Sequence, residues 1–247
     1  MSELAFIQPN WPAPKNICAI QTTRQGGFSQ TSFDGFNLAM HVGDDALTVA
    51  KNRQLLNPLL PSEPVWVNQV HGIDVLDAAK STCLQNADAS FSRQKNVVCV
   101  TMTADCLPLL LCDKQGTVVA AVHAGWRGLC DGVIEATIKK MVVPPTEILV
   151  WLGPAIGPES FEVGDDVRQA FLVHDPNAHL AFKNVGNEKW LCDIYSLAKQ
   201  RLNALGVTQI YGASMNEDFC TFKQQDQFFS YRRDQTTGRM ASLIWLT

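Results

Sequence analysis

VVCVTMTADCLPLLLCDKQGTVVAAVHAGWRGLCDGVIEATIKKMVVPPTEILVWL, residues 97–152, is the stretch from which the fold is read. Residues 97–102, 109–112 and 118–122 are short apolar runs rich in Val and Leu, separated by TADCLP and DKQG. They read as buried strands, the first two interrupted at Pro108. Beyond His123, residues 132–141 place Val133, Ile134, Ile138 and Met141 on one helical face, and a Pro-Pro turn leads to the apolar run Ile148–Leu152. Strand, helix, strand is the pattern of an α/β protein.

Working outward, residues 17–24 form a β-branched strand that runs into the QGGFS loop and leaves Arg24 at a loop mouth. FDGFNLAMHVGDD puts His41 at a turn, and residues 46–60 carry helical spacing stopped by Pro61. On the other side, Gly164-Asp165-Asp166 opens a helix through Val173. Asp193 caps a helix in which Ile194, Leu197, Ala198, Leu202 and Leu205 share a face before Gly206, and the last strand spans residues 240–246. No repeat, low-complexity tract or composition shift marks a linker, so a single domain over residues 1–247 is expected.

With 247 residues, 46% hydrophobic and 18% charged, the chain can bury a full core. Its formal charge of −4 and lack of a long basic run argue against a nucleic-acid partner and favour small molecules. MSELAFIQPNWPAPKN has no basic start or signal-like apolar run, and no apolar stretch reaches about 18 residues, so a cytoplasmic chain without a membrane span is expected. The eight cysteines (18, 83, 99, 106, 112, 130, 192 and 220) form no CxxC pair and are expected to stay reduced.

His71, Cys106 and His123 each stand where an apolar run meets a turn, in NQVHG, TADCLP and VHAGWRG. Two imidazoles and a thiolate are three strong ligands, and a zinc ion so held keeps a fourth position for water or substrate. Cys106 and His123 end consecutive strands seventeen residues apart, which brings them together, with Gly125 and Gly128 leaving room beside them. The same pair also reads as a cysteine nucleophile and its base, which spacing does not separate; His71 tips the balance towards metal. A closed structural site would need Cys220 or His41 as a fourth ligand. His174 and His179, in HDPNAH, read as solvent-exposed.

Asp105 is a candidate to orient a ligand or move a proton, and equally a turn residue. Arg24, Arg127, Arg232, Arg233 and Arg239 are candidate phosphate holders, each with a bland alternative as a surface ion-pair partner. WLGPAIGPESFEVG lacks a phosphate-loop pattern and reads as a rigid turn. FFSYRRD places aromatics beside arginines, suited either to stacking a planar base or to closing the core.

NQVHG, TADCLPLLL, HAGWRG, WLGPAIGP and FFSYRRD…TGRMASLIWL, with TTRQGGFS and MHVGDD before them, resemble the YfiH-type family over nearly the whole chain. Its members are described as purine nucleoside phosphorylases, formerly as polyphenol oxidases or laccase-domain proteins, and some as peptidoglycan editing factors. The resemblance implies a four-layer α/β/β/α sandwich with mixed sheets, similar to that of the cytotoxic necrotizing factor deamidase domain. It implies zinc on His71, Cys106 and His123, phosphorolysis of adenosine, inosine and methylthioadenosine, and some adenosine deaminase activity. Alternative activities are cysteine-type or metal-dependent amide hydrolysis of mis-made nucleotide-linked muropeptide precursors, or polyphenol oxidation by copper-loaded protein.

A full multicopper oxidase draws on roughly ten histidines, and the chain has five, so copper(II) on the His₂Cys set is read as incidental. Within this reading Arg24 or Arg127 steadies phosphate, and Asp105, His41 and Arg24 are the catalytic candidates. Gln69, Arg127 and Arg233 are the substrate-binding candidates. The state of assembly is left as monomer or homodimer.

Overall fold

The computed structural model describes residues 4–82, 84–212 and 219–247, so Cys83 lies outside the described residues. The strands are β1 (Phe6–Ile7), β2 (Ile17–Thr22), β3 (Val75–Asp77), β4 (Ala89–Ser92), β5 (Cys99–Thr103), β6 (Leu107–Asp113) and β7 (Val119–Ala124). They continue as β8 (Ile148–Leu152), β9 (Glu162–Gly164), β10 (Phe182–Gly186), β11 (Lys189–Cys192), β12 (Gln209–Gly212) and β13 (Met240–Leu246). The helices are α1 (Ala46–Gln54), α2 (Trp126–Asp131), α3 (Val133–Met141), α4 (Asp165–His174), α5 (Ile194–Ala204) and α6 (Tyr231–Asp234).

The central apolar runs are buried on both faces, because each lies in a sheet covered on each side. A mixed six-stranded sheet has the order β12-β8-β6-β7-β4-β3, and an antiparallel four-stranded sheet the order β1-β2-β13-β5. The side chains of Leu110, Cys112, Val119, Ala121 and Trp151 on the first sheet meet Cys99, Ile244 and Leu246 on the second. On its other face the six-stranded sheet packs Leu107, Leu109, Leu111, Ala120 and Val122 against α2 to α5. Phe36, Leu38, Leu56 and neighbouring loop residues cover the far side of the four-stranded sheet. The result is the mixed α/β sandwich expected, with a small β10-β11-β9 sheet beside it.

Three boundaries differ from the sequence reading. Pro108 lies inside β6: its carbonyl accepts from Gly153 N at 3.0 Å, so its nitrogen faces the same edge, where β8 has ended at Leu152 and no donor is needed. β7 runs on through His123 to Ala124. The helix expected over residues 46–60 stops at Gln54, because Pro58 cannot continue it and instead opens a short 3₁₀ turn, Asn57–Leu59. The Asp193 cap on α5 forms as expected, accepting from Ser196 N at 3.0 Å.

Candidate metal centre

The site is built where the chain crosses between the two large sheets. Residues 104–106 carry it from β5 to β6, and Asp105 makes the sharp turn with φ +93°. Cys106 therefore stands at the start of β6, beside the end of its antiparallel partner β7, where Leu107 faces Ala124. His123 shares the inter-sheet side of β7 with Val119 and Ala121 and is buried. His71 reaches the same place from a loop turn with φ +61°. Cys106 Sγ lies 3.7 Å from His71 Nε2, the two imidazole rings sit edge to face with centroids 4.8 Å apart, and the donor atoms of all three residues lie within 4.8 Å of one another.

One buried carboxylate organises this cluster. Asp88, 1% exposed at the entrance to β4, accepts from His123 Nδ1 at 2.8 Å and from His71 N at 2.9 Å through one oxygen. Its other oxygen accepts from Gly72 N at 2.7 Å and Val70 N at 3.2 Å, while its carbonyl accepts from His123 N at 2.7 Å. With Nδ1 committed to Asp88, His123 presents Nε2 to the cluster, the arrangement that prepares an imidazole to ligate a metal. Burial pushes the Asp88 carboxyl up, but the hydrogen bonds from His123 and the backbone N–H groups outweigh this and hold it below its ordinary range.

The donor set fits a metal. Two imidazoles and one thiolate match zinc's preferred chemistry and admit copper(II) as well. Glycines make the room: a Cβ at Gly125 would stand 2.6 Å from His71 Cδ2 and 3.2 Å from Cys106 Sγ, and one at Gly128 2.7 Å from the Gly72 carbonyl. Among the described residues, neither fourth-ligand candidate joins the donor group. Cys220 Sγ accepts from Gly157 N at 3.2 Å, and His41 lines the adjoining cavity.

Burial pushes the Cys106 thiol up, yet the His123 and His71 imidazoles outweigh burial and bring it down, while the thiol and Asp88 raise His123 against its own burial. By contrast burial pushes Cys99 and Cys112 up to about 12. In metal-free protein at pH 7, iodoacetamide is expected to label Cys106 well ahead of Cys99 and Cys112, and added zinc to block it, as read by peptide mass spectrometry. Labelling of Cys106 that ignores zinc would contradict ligation.

The other site candidates fall in different places. His41 and Gln69 line the cavity of about 340 Å³ above the triad. The Gln69 amide, however, is taken up by the Met102 backbone, donating to its carbonyl and accepting from its N–H at 2.7 Å each. The Asp105 carboxylate accepts from Thr221 Oγ1 at 2.6 Å and Arg232 N at 2.7 Å, which gives it a turn-locking role. Arg24 and Arg233 line a separate open cavity of about 780 Å³. There Arg24 donates to the Asp34 and Gln225 carbonyls, and Arg233 to those of Thr221, Phe222 and Phe228. Arg127 is exposed on α2 with its guanidinium over the Trp126 ring. Arg239 is the arginine that lines the triad cavity.

Residues 18–247 match the family described as multi-copper polyphenol oxidoreductase laccase. The chain belongs to this laccase-domain, YfiH-type family. It is 53% identical to the purine nucleoside phosphorylase YfiH of Shigella flexneri over all of both chains, and 51% identical to the purine nucleoside phosphorylase PA4543 of Pseudomonas aeruginosa over 98% of each. Among solved structures it resembles Neisseria meningitidis protein NMB0706 with a TM-score of 0.93 and 48% identity over 98% of each chain. YlmD of Geobacillus stearothermophilus follows at a TM-score of 0.88 and 29% identity, covering 98% of this chain and 96% of that one.

Sequence reasoning passed over Asp88. Its signal was weak: in NADASFS, Ala89 and Phe91 alternate with Ser90 and Ser92, so a carboxylate stands at the mouth of a half-polar strand. Among the described residues no helix is long and apolar enough to cross a membrane, and Cys18, Cys99, Cys106, Cys112, Cys130 and Cys192 form no disulfide.

Proposed function

We propose that the chain is a zinc-dependent purine nucleoside phosphorylase acting on adenosine, inosine and methylthioadenosine, with its reaction centre at His71, Cys106 and His123. The observation that carries this is the three-donor cluster, oriented by Asp88, at the floor of a cavity of about 340 Å³. That volume falls at the small end of the ~300–1,000 Å³ typical of small-molecule sites. The names of the full-length relatives supply the substrate class. In the reaction the purine N9–C1′ bond breaks, a C1′–O bond to phosphate forms, and the purine leaves with the electron pair and takes up a proton. Zinc held by these residues supplies Lewis-acid stabilisation of negative charge.

The chain's own groups supply the rest. Asp88 fixes the tautomer and angle of His123, Gln69 holds the end of β5 against the cavity wall, and His41 stands at the rim. Burial and the charges of Arg239 and Arg53 pull the His41 pKa down, which suits its neutral form to accepting or relaying a proton. Purified zinc-loaded protein is expected to convert inosine to hypoxanthine and ribose 1-phosphate only when phosphate is present, and Cys106→Ala to release no hypoxanthine above background. Product formation without phosphate, or none in the wild type, would sink phosphorolysis. Activity with adenosine but release of inosine would instead mark deamination.

A second reading is favoured by one feature: Cys106, His123 and Asp88 stand in the order nucleophile, base and orienting carboxylate. As a cysteine-type amide hydrolase editing muropeptide precursors, with Cys106 as nucleophile, the protein would keep its activity after chelation, whereas phosphorolysis would stop. The Cys–His–Asp order and the metal reading use the same atoms, so chelation separates them cleanly.

A further inference from the structure

The cavity above the triad has a lining of one electrostatic kind. None of its lining residues is acidic, since Asp105 turns its carboxylate to Thr221 and the Arg232 N–H. Beyond the triad and the apolar Met102 and Ala104, the lining consists of Arg239, Thr103, His41, Gln69 and Tyr231. Thr103 is 2% exposed, and of the buried hydroxyls without a protein partner among the described residues (Ser90, Thr101, Thr103 and Thr237) it is the one in this lining. Topology places these groups side by side. Thr103 ends β5 and pairs with Met240, the first residue of β13, and Arg239 immediately precedes Met240.

Arg239 is anchored from behind. Its Nη1 donates to the carbonyls of Thr237 at 2.9 Å and Gly238 at 3.0 Å, and its N–H donates to Asn37 Oδ1 at 3.0 Å. Among the described residues its Nε and Nη2 have no protein acceptor, which leaves part of a rigid planar fork available to oxygen atoms. A cation, a donor without a partner and an imidazole, in a space without carboxylates, select a tetrahedral oxyanion over a cationic or purely apolar ligand.

We propose that Arg239 and Thr103, with His41 at the rim, form an oxyanion subsite beside the metal centre that seats inorganic phosphate. The choice of phosphate as the oxyanion rests on the phosphorolysis reading; the subsite itself rests on the lining. It assigns to Arg239 the role that sequence reasoning gave to Arg24 or Arg127.

The test is calorimetric titration of zinc-loaded protein with inorganic phosphate, run beside steady-state kinetics with inosine. Arg239→Ala is expected to weaken phosphate about tenfold or more, as loss of a charge-assisted hydrogen bond does, with the inosine KM unchanged. Because Arg239 also pins two carbonyls, the near-isosteric Thr103→Val provides an independent variant. It is expected to raise the phosphate Kd and KM by about 2–10-fold, with Thr103→Ser restoring both. Unchanged phosphate affinity in both Arg239→Ala and Thr103→Val would overturn the subsite. So would weakened binding of inosine 5′-monophosphate with inorganic phosphate unaffected, which would assign the arginine to a nucleotide's phosphate. The titration needs no turnover, so a wild type that binds phosphate through Arg239 yet does not cleave inosine would defeat the phosphorolysis reading and not the subsite.

Discussion

Asp88→Ala is expected to destabilise the protein by about 3–5 kcal/mol, the cost of removing one partner from a buried charged network. The substitution leaves the His123 ring N–H and the backbone N–H groups of Val70, His71 and Gly72 without their shared acceptor, in a place where Asp88 itself is only 1% exposed. For a chain of this size such a loss lowers the melting temperature by roughly 6–20 °C. Asp88→Asn is gentler in shape and isolates the charge: zinc affinity is expected to fall about 10–100-fold through misorientation of His123, as measured against a competing chelator.

The same variant has a pH signature. The Asp88 carboxyl is held below its ordinary value of 3.8, so its contribution to stability is complete above about pH 4 and is lost as pH falls through the lower folded value. The gap in melting temperature between wild type and Asp88→Asn should therefore stay constant from neutrality down to about pH 4 and close below it. A gap that widened in acid would assign the stabilisation to some other group.

Gly125→Ala is expected to remove the metal with little harm to the fold. The backbone at Gly125, with φ −64° and ψ 155°, is open to any residue, so no strain arises from its conformation. The whole effect is contact: the new methyl would meet His71 Cδ2 at 2.6 Å, His71 Nε2 at 3.3 Å and Cys106 Sγ at 3.2 Å. The His71 ring has to swing away, which separates it from Cys106. Bound zinc, measured by elemental analysis after dialysis, is expected to drop to a small fraction of the wild-type amount. Phosphorolysis should fall with it, while stability declines by only about 1–3 kcal/mol, the usual penalty for local overpacking. Full zinc occupancy in this variant would show that the three residues do not act together as ligands.

What was legible in the sequence follows from the range of the interactions involved. β8, β13 and the capped helix α5 are local objects: an apolar run of the right length, or an Asp before an amphipathic stretch, is enough to define them. Pro58 and Pro108 show where local rules divide. Proline ends α1 because a helix needs every interior N–H, but is accepted inside β6 because the neighbouring strand has already stopped. The second fact belongs to pairing between residues 35–43 positions apart in the chain and is not written near Pro108.

The site divides in the same way. His71, Cys106 and His123 were recognisable because their residue types are chemically rare and each stands at the end of an apolar run. Which carboxylate and which arginine stand beside them was not recognisable. Asp105 adjoins Cys106 in the chain, yet its carboxylate is drawn off by Thr221 and Arg232, while Asp88, just before a strand that pairs with β7, hydrogen-bonds His123. Arg24 and Arg239 were equivalent as letters, and only the pairing of β13 with β5 carries Arg239 to the triad's cavity. The sequence by itself determined the α/β class, the candidate donor residues and the family. The tertiary structure alone decided which carboxylate and which arginine stand beside the triad, because hydrogen bonds and charges act across a few ångströms of space, and β-pairing sets those distances independently of position along the chain.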